Sequence, residues 1–98
     1  MPLAAATLDQ FDQLGLPALW SQEERNPVIQ LRLRDSMSGV EWYVIEGTRQ
    51  PNDYRFYGFR VQGLPIRCHF LLSDLRCHRF DLDMSPKGKR WSEVRVST

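Results

Sequence analysis

Two aromatic runs joined by turn residues constrain this chain more than any other feature. Residues 41–47 and residues 54–61 are rich in aromatic and β-branched side chains, and the stretch between them contains Pro51-Asn52-Asp53. Aromatic and β-branched side chains pack well on a pleated surface, whereas proline, asparagine and aspartate favour turns. The pattern therefore predicts an antiparallel hairpin at the centre of the fold. Six of the eleven aromatic residues fall within it: Trp42, Tyr43, Tyr54, Phe56, Tyr57 and Phe59.

Both predicted strands of this hairpin are apolar on both faces. Alternation places Trp42 and Val44 on one face of the first strand, and Tyr43 and Ile45 on the other. In the second strand it separates one pair of side chains, Tyr54 and Phe56, from a second set, Tyr57, Phe59 and Val61. A strand that is apolar on both sides is either covered on both sides or binds something with one of them. The sequence leaves open which face of the hairpin is exposed.

Short helices and further strands are predicted around the hairpin. Leu8, Phe11 and Leu14 recur at helical spacing before Gly15, which predicts a helix over residues 8–14. Further strands are predicted over residues 28–34 (with Ile29, Leu31 and Leu33 on one face), 66–72, 80–84 and 91–96, the last of these closing the sheet edge. The predicted fold class is α+β: one domain over residues 1–98, with a single antiparallel sheet of about five strands, an N-terminal helix and a short helix near residues 74–79.

Composition favours an ordinary globular domain. The chain has 98 residues, of which 42% are hydrophobic and 26% are charged, and no apolar run approaches the length needed to span a membrane. No secretory signal pattern is visible, so we expect a cytoplasmic protein whose two cysteines are reduced thiols.

Charge is distributed unevenly along the chain. Residues 1–54 carry eight acidic and four basic side chains, and residues 55–98 carry four acidic and nine basic ones. We expect these charges to intermix when strands from both halves pair. The alternative is a basic surface that binds nucleic acid through Arg67, Arg76, Lys87, Lys89 and Arg90, with Arg60 as a further candidate.

Two sets of residues invite comparison with metal sites. Cys68-His69 and Cys77-His78 contain the usual zinc-ligating residue types, but neighbours on a strand project to opposite faces and should not converge on one ion. Asp81 and Asp83 share a strand face, as in some divalent-metal sites, which keeps a metal-dependent nuclease as a less favoured alternative. No nucleophile elbow or phosphate-binding glycine motif occurs. We therefore predict no cofactor and no enzymatic activity, and we assign no metal-ligating residues. Whether the Cys-His pairs bind metal stays open.

Several motifs occur together in an order that resembles a known family. They are Leu16-Pro17-Ala18-Leu19-Trp20-Ser21-Gln22-Glu23, Glu41-Trp42-Tyr43-Val44-Ile45-Glu46-Gly47, Phe56-Tyr57-Gly58 and Phe70-Leu71-Leu72-Ser73-Asp74-Leu75. The chain resembles a small bacterial family of unknown function that is common on conjugative plasmids, integrative elements and phages. Where that family has Gly-Tyr before its fourth strand, this chain has Cys68-His69. The resemblance implies a mobile-element accessory protein.

A role in binding another protein is therefore the favoured hypothesis. The expected partner is a host or element protein, and the expected effect is inhibition of a host defence system such as CRISPR or restriction, with the chain itself a monomer or a homodimer. Aromatic and arginine side chains are common anchors of protein interfaces. The predicted partner-binding residues are Trp20, Glu23, Trp42, Tyr54, Phe56 and Arg60.

Overall fold

A single antiparallel sheet of five strands organises the molecule. The computed structural model describes residues 8–19, 25–35, 37–75 and 80–96. The elements are α1 (Leu8–Gln13), β1 (Leu31–Asp35), β2 (Glu41–Gln50), β3 (Asp53–Gln62), β4 (Leu64–Leu71), α2 (Leu72–Leu75), β5 (Phe80–Asp83) and α3 (Trp91–Val96). The strand order across the sheet is β4-β3-β2-β1-β5. The predicted α+β class, the five-stranded antiparallel sheet and the N-terminal helix are confirmed.

The hairpin of β2 and β3 forms the middle of the sheet. The two strands pair from Glu41 and Val61 to Gln50 and Asp53, and the turn between them places Asn52 at a φ of 59°. The register shifts between Val44 and Glu46, so that one additional residue of β2 is accommodated as a bulge. The bulge increases the local twist of the strand that carries it.

One face of the sheet packs against α1. Its buried side chains are Phe11, Leu31, Leu33, Val44, Tyr54, Phe56, Phe70, Leu72 and Leu75, which we call the α1-side core. Phe11 fixes the helix, because its ring centroid lies 5.6 Å from that of Tyr54 and 5.3 Å from that of Phe56. At the surface, Arg49 of β2 pairs with Asp9 and Asp12 of α1.

The opposite face packs against α3. Ile29, Tyr43, Ile45, Phe59 and Val94 form the α3-side core, with Trp91 packed against it. The Trp91 ring stacks on Phe59 at 4.0 Å and meets the edge of Tyr43 at 5.2 Å. Both faces of the hairpin are thus covered, and its side chains alternate between the two faces as predicted from the sequence.

The prediction of a strand over residues 91–96 was wrong, because this segment is α3. Trp91 and Val94 are three residues apart, which places both on one side of a helix, toward the sheet. The helix start is also satisfied locally, since the side chain of Asn26 accepts a hydrogen bond from Ser92 N at 2.8 Å. The edge of the sheet that this segment was expected to close is formed by β5.

Three other boundaries differ from the prediction. Ile29 lies in the α3-side core, not with Leu31 and Leu33, because β1 begins only at Leu31 and Ile29 N is bonded to the carbonyl of Lys89. The strand β4 begins at Leu64 after a turn made by Gly63 with a φ of 92°. The short helix expected near residues 74–79 begins earlier, at Leu72, and residues 76–79 lie outside the described part of the chain.

Candidate functional site

Tyr54 and Phe56, two of the predicted partner-binding residues, lie in the α1-side core. Tyr54 is 4% exposed and Phe56 is fully buried, because α1 places Phe11 over both rings. This burial corrects the expectation for these two residues, since neither ring presents a surface to a partner. Trp20 and Glu23, together with Arg76 of the basic set, lie outside the described residues.

Trp42 and Arg60 lie side by side beyond the region that α1 covers. They are direct cross-strand partners on β2 and β3. The Trp42 ring packs on Phe70 at a centroid distance of 4.4 Å, and the Arg60 guanidinium lies over the indole at 5.7 Å. The indole Nε1 is buried, and no hydrogen-bond partner for it lies within the described residues. A buried indole N–H without a hydrogen-bond partner costs free energy.

A groove of about 470 Å³ opens beside these two side chains, and we call it the Trp42 groove. It is lined by Asp35, Ser38, Val40, Trp42, Arg60, Gln62, His69, Phe70, Asp74 and Leu75. Arg60 is steadied by a hydrogen bond to Gln62 Oε1 at 2.8 Å. The Asp35 carboxylate accepts hydrogen bonds from Met37 N and from the Ser38 hydroxyl, so it holds the turn at one end of the groove.

Two exposed apolar side chains extend this groove to the edge of the sheet. Leu64 is 85% exposed and Ile66 is 56% exposed, and β4 is the last strand of the sheet on that side. They alternate with Cys68 and Phe70, which pack in the α1-side core, so all four side chains share a face. We call Leu64, Ile66, Trp42 and Arg60 the β4 docking surface. Leu64 lies before the strand predicted over residues 66–72, and the signal that would have included it is this alternation continuing past Pro65.

The candidate basic residues divide between the two faces of the sheet. Arg60 lies on the α1 side, whereas Arg67 lies on the α3 side, with its guanidinium 4.9 Å from the Phe59 ring. Arg67 donates to the carbonyl of Arg25 at 3.1 Å, and Arg90 donates to the adjacent carbonyl of Asn26 at 3.1 Å. The exposed side chains of Lys87 and Lys89 precede Arg90 on the same loop.

The two carboxylates proposed for a nuclease lie opposite arginines. Asp83 pairs with Arg32 on β1, and its neighbour Asp81 lies opposite Arg34 in the register. Asp83 also accepts hydrogen bonds from the backbone and hydroxyl of Ser85. The Ser85 backbone hydrogen bond has the largest effect and lowers the pKa of Asp83. Burial comes next and opposes it, while the Ser85 hydroxyl and Arg32 lower the pKa further. Asp83 is therefore already engaged as an acceptor.

Cys68 and His69 point to opposite faces of β4, as expected for neighbours on a strand. Cys68 packs against the α1-side core, while the His69 ring lies 4.7 Å from Tyr57 on the other face. Burial raises the pKa of the Cys68 thiol. Cys77 and His78 lie outside the described residues. Across the described part of the chain, no three His, Cys, Asp or Glu side chains form a cluster that could hold a metal ion.

Comparisons with protein-family models, with curated proteins and with solved structures find no match to this chain. Within the described residues, the structure contains no helix with the length and apolar character needed to cross a membrane.

Proposed function

We propose that this chain acts without catalysis, as a protein-binding module whose interface is the β4 docking surface. The observation that carries the proposal is that exposed Leu64 and Ile66 lie directly opposite Gln62 and Arg60, which line the groove beside Trp42. Contiguous apolar surface next to a polar rim is typical of interaction sites. A tryptophan and an arginine at its centre are the residue types most often found to dominate binding energy.

The partner in this proposal is a protein that adds an extended segment alongside β4. An edge strand offers backbone N–H and C=O groups to a further strand, and pockets beside it select the side chains of that strand. Alternate apolar side chains of the partner would cover Leu64 and Ile66. The groove volume of about 470 Å³ falls in the range of ligand pockets, so it can receive a further side chain of the partner.

The resemblance to a mobile-element family supports a narrower form of the proposal. In that form the partner is a cytoplasmic host or element protein, and binding inhibits a host defence system such as CRISPR or restriction. The engagement of Asp83 by Arg32 and Ser85 favours this binding role over the nuclease alternative.

Selection from a displayed library of random peptides tests the interface. We expect the purified chain to enrich extended peptides with alternating apolar residues, and Ile66→Lys to abolish the enrichment. Met37→Lys is the matched control, because Met37 is 77% exposed but lies on the β1–β2 turn and not on the edge strand. Equal enrichment on the wild type and on Ile66→Lys would refute the proposed interface.

Two further measurements distinguish a foreign protein from a second copy of this chain as the partner at this interface. Proteins captured from a host lysate by the wild type and by Met37→Lys, but not by Ile66→Lys, are candidate partners. Sedimentation of the chain alone over a range of concentrations tests a second copy as the occupant. A dimer that Ile66→Lys dissociates would replace the proposed foreign partner with a homodimer.

A further inference from the structure

We infer that the α3 side of the molecule carries a second binding surface, which contacts the phosphate backbone of nucleic acid. It is formed by Arg25, Arg67, Lys87, Lys89 and Arg90, which we call the basic row. This inference is independent of the proposed protein interface, because the β4 docking surface lies on the opposite face of the sheet.

The fold brings the basic row together from three distant parts of the chain. Residues 27–29 run antiparallel to the loop before α3: Ile29 N bonds to the Lys89 carbonyl at 2.8 Å, and Gly88 N bonds to the Ile29 carbonyl at 2.9 Å. Val28 forms an isolated bridge with Arg90. The lysines are therefore presented by a loop whose backbone is tied to the body of the protein.

Arg67 joins the row from the other edge of the sheet. Its guanidinium crosses Phe59 and bonds to the carbonyl of Arg25, next to the Asn26 carbonyl that receives Arg90. The two guanidinium groups thus bond to consecutive carbonyls of one short segment. A polyanion that lies along this segment can contact both of them.

The charge of the row fits a chain of phosphates. Within the described residues, Glu93 lies at the end of the row, where it accepts a hydrogen bond from Arg90 N at 3.4 Å. The five cations gather around residues 25–29, where they can contact about four phosphates of one strand. Guanidinium groups match phosphate oxygens in paired hydrogen bonds. Several cations on one surface favour a polymer with a charge on every unit over a single acidic side chain.

Fluorescence anisotropy with labelled oligonucleotides, single-stranded and duplex, tests the inference. With about four phosphate contacts to a single strand, the slope of log K against log[salt] is expected near −2.8, which corresponds to about a 50-fold loss of affinity between 50 and 200 mM salt. The double variant Lys87→Ala, Lys89→Ala should reduce the steepness of that slope by about 1.4. Urea midpoints of each variant show whether the fold is retained.

A charge-matched control distinguishes binding at a defined surface from attraction by the net charge of the protein. Arg49→Ala, Arg60→Ala removes the same number of positive charges from the α1 side of the sheet, away from the row, and it should leave the slope unchanged. An equal loss in both double variants would overturn the inference, as would no binding at 50 mM salt. Polyglutamate competing as well as the oligonucleotides would replace nucleic acid with an acidic protein as the partner.

Discussion

Gly58 is the position at which one added methyl group is expected to cost most. It lies opposite Val44 at the start of the β2 bulge, where the two backbones approach closely. A Cβ built on Gly58 would lie 1.8 Å from the carbonyl oxygen of Tyr43 and 3.1 Å from the Cα of Val44. The obstacle is backbone at the centre of the sheet, so the two central strands must move apart for alanine to fit.

The expected cost follows from this displacement. Overpacking costs about 1–3 kcal/mol, and weakening about two hydrogen bonds between the strands adds about 1 kcal/mol each, which gives about 4 kcal/mol for Gly58→Ala. A domain of this size has a free energy of unfolding of about 5–15 kcal/mol, so the variant should be near the limit of folding. With a urea dependence of about 1.5 kcal/mol per molar, the midpoint of unfolding should fall by about 2.7 M.

Equilibrium urea unfolding followed by tryptophan fluorescence measures this shift. Gly47→Ala is the matched control, because its Cβ would meet only side chains, the nearest being Leu16 Cδ1 at 2.8 Å and Tyr54 Cε1 at 3.0 Å. These side-chain ends can move, so we expect a loss of about 1 kcal/mol. A Gly58→Ala midpoint within about 0.5 M of the wild type would show that the close approach of the two strands is not as described.

Three other outcomes are expected from the packing and the charges. Phe11→Ala should lower the free energy of unfolding by about 3 kcal/mol and release α1, which hydrogen exchange at residues 8–13 would detect as lost protection. Trp91→Ala should cost about 3 kcal/mol in urea unfolding because it removes the ring stacked on Phe59; a loss below about 1 kcal/mol would contradict this packing. Asp83→Asn should lower stability at pH 7 by under about 1 kcal/mol. Because the fold lowers the pKa of Asp83, the stability that its carboxylate contributes is complete above the unfolded-state pKa of about 3.9 and is lost as the pH falls through the lower pKa of the folded state. The urea midpoints of wild type and variant should therefore converge in acid.

The hairpin and the faces of its strands could be predicted because their signals are local. Alternation of side chains in a strand depends only on backbone geometry, so Tyr54 and Phe56 were correctly separated from Phe59 before any partner strand was known. The same local reasoning failed for residues 91–96. That segment is apolar at alternate positions and also at helical spacing, and its packing against the hairpin decided between the two.

The candidate sites could be predicted only in part. The sequence predicts aromatic and arginine side chains as the anchors of a partner, but it does not show that α1 covers Tyr54 and leaves Trp42 partly exposed. Arg25 was not among the predicted basic residues, since it lies in an acidic half of the chain. Its association with Arg67 depends on a contact between residues 42 positions apart.

The order of side chains along the chain was therefore enough to predict the pairing of the hairpin strands and the α+β class. It also shows which apolar and basic side chains the protein contains. Only the tertiary structure decided which aromatic rings are covered, that Leu64 and Ile66 are exposed at an edge, and that basic residues from three segments adjoin. The reason is physical: backbone geometry acts between neighbours in the chain, whereas exposure and charge clustering depend on which distant segments pack together.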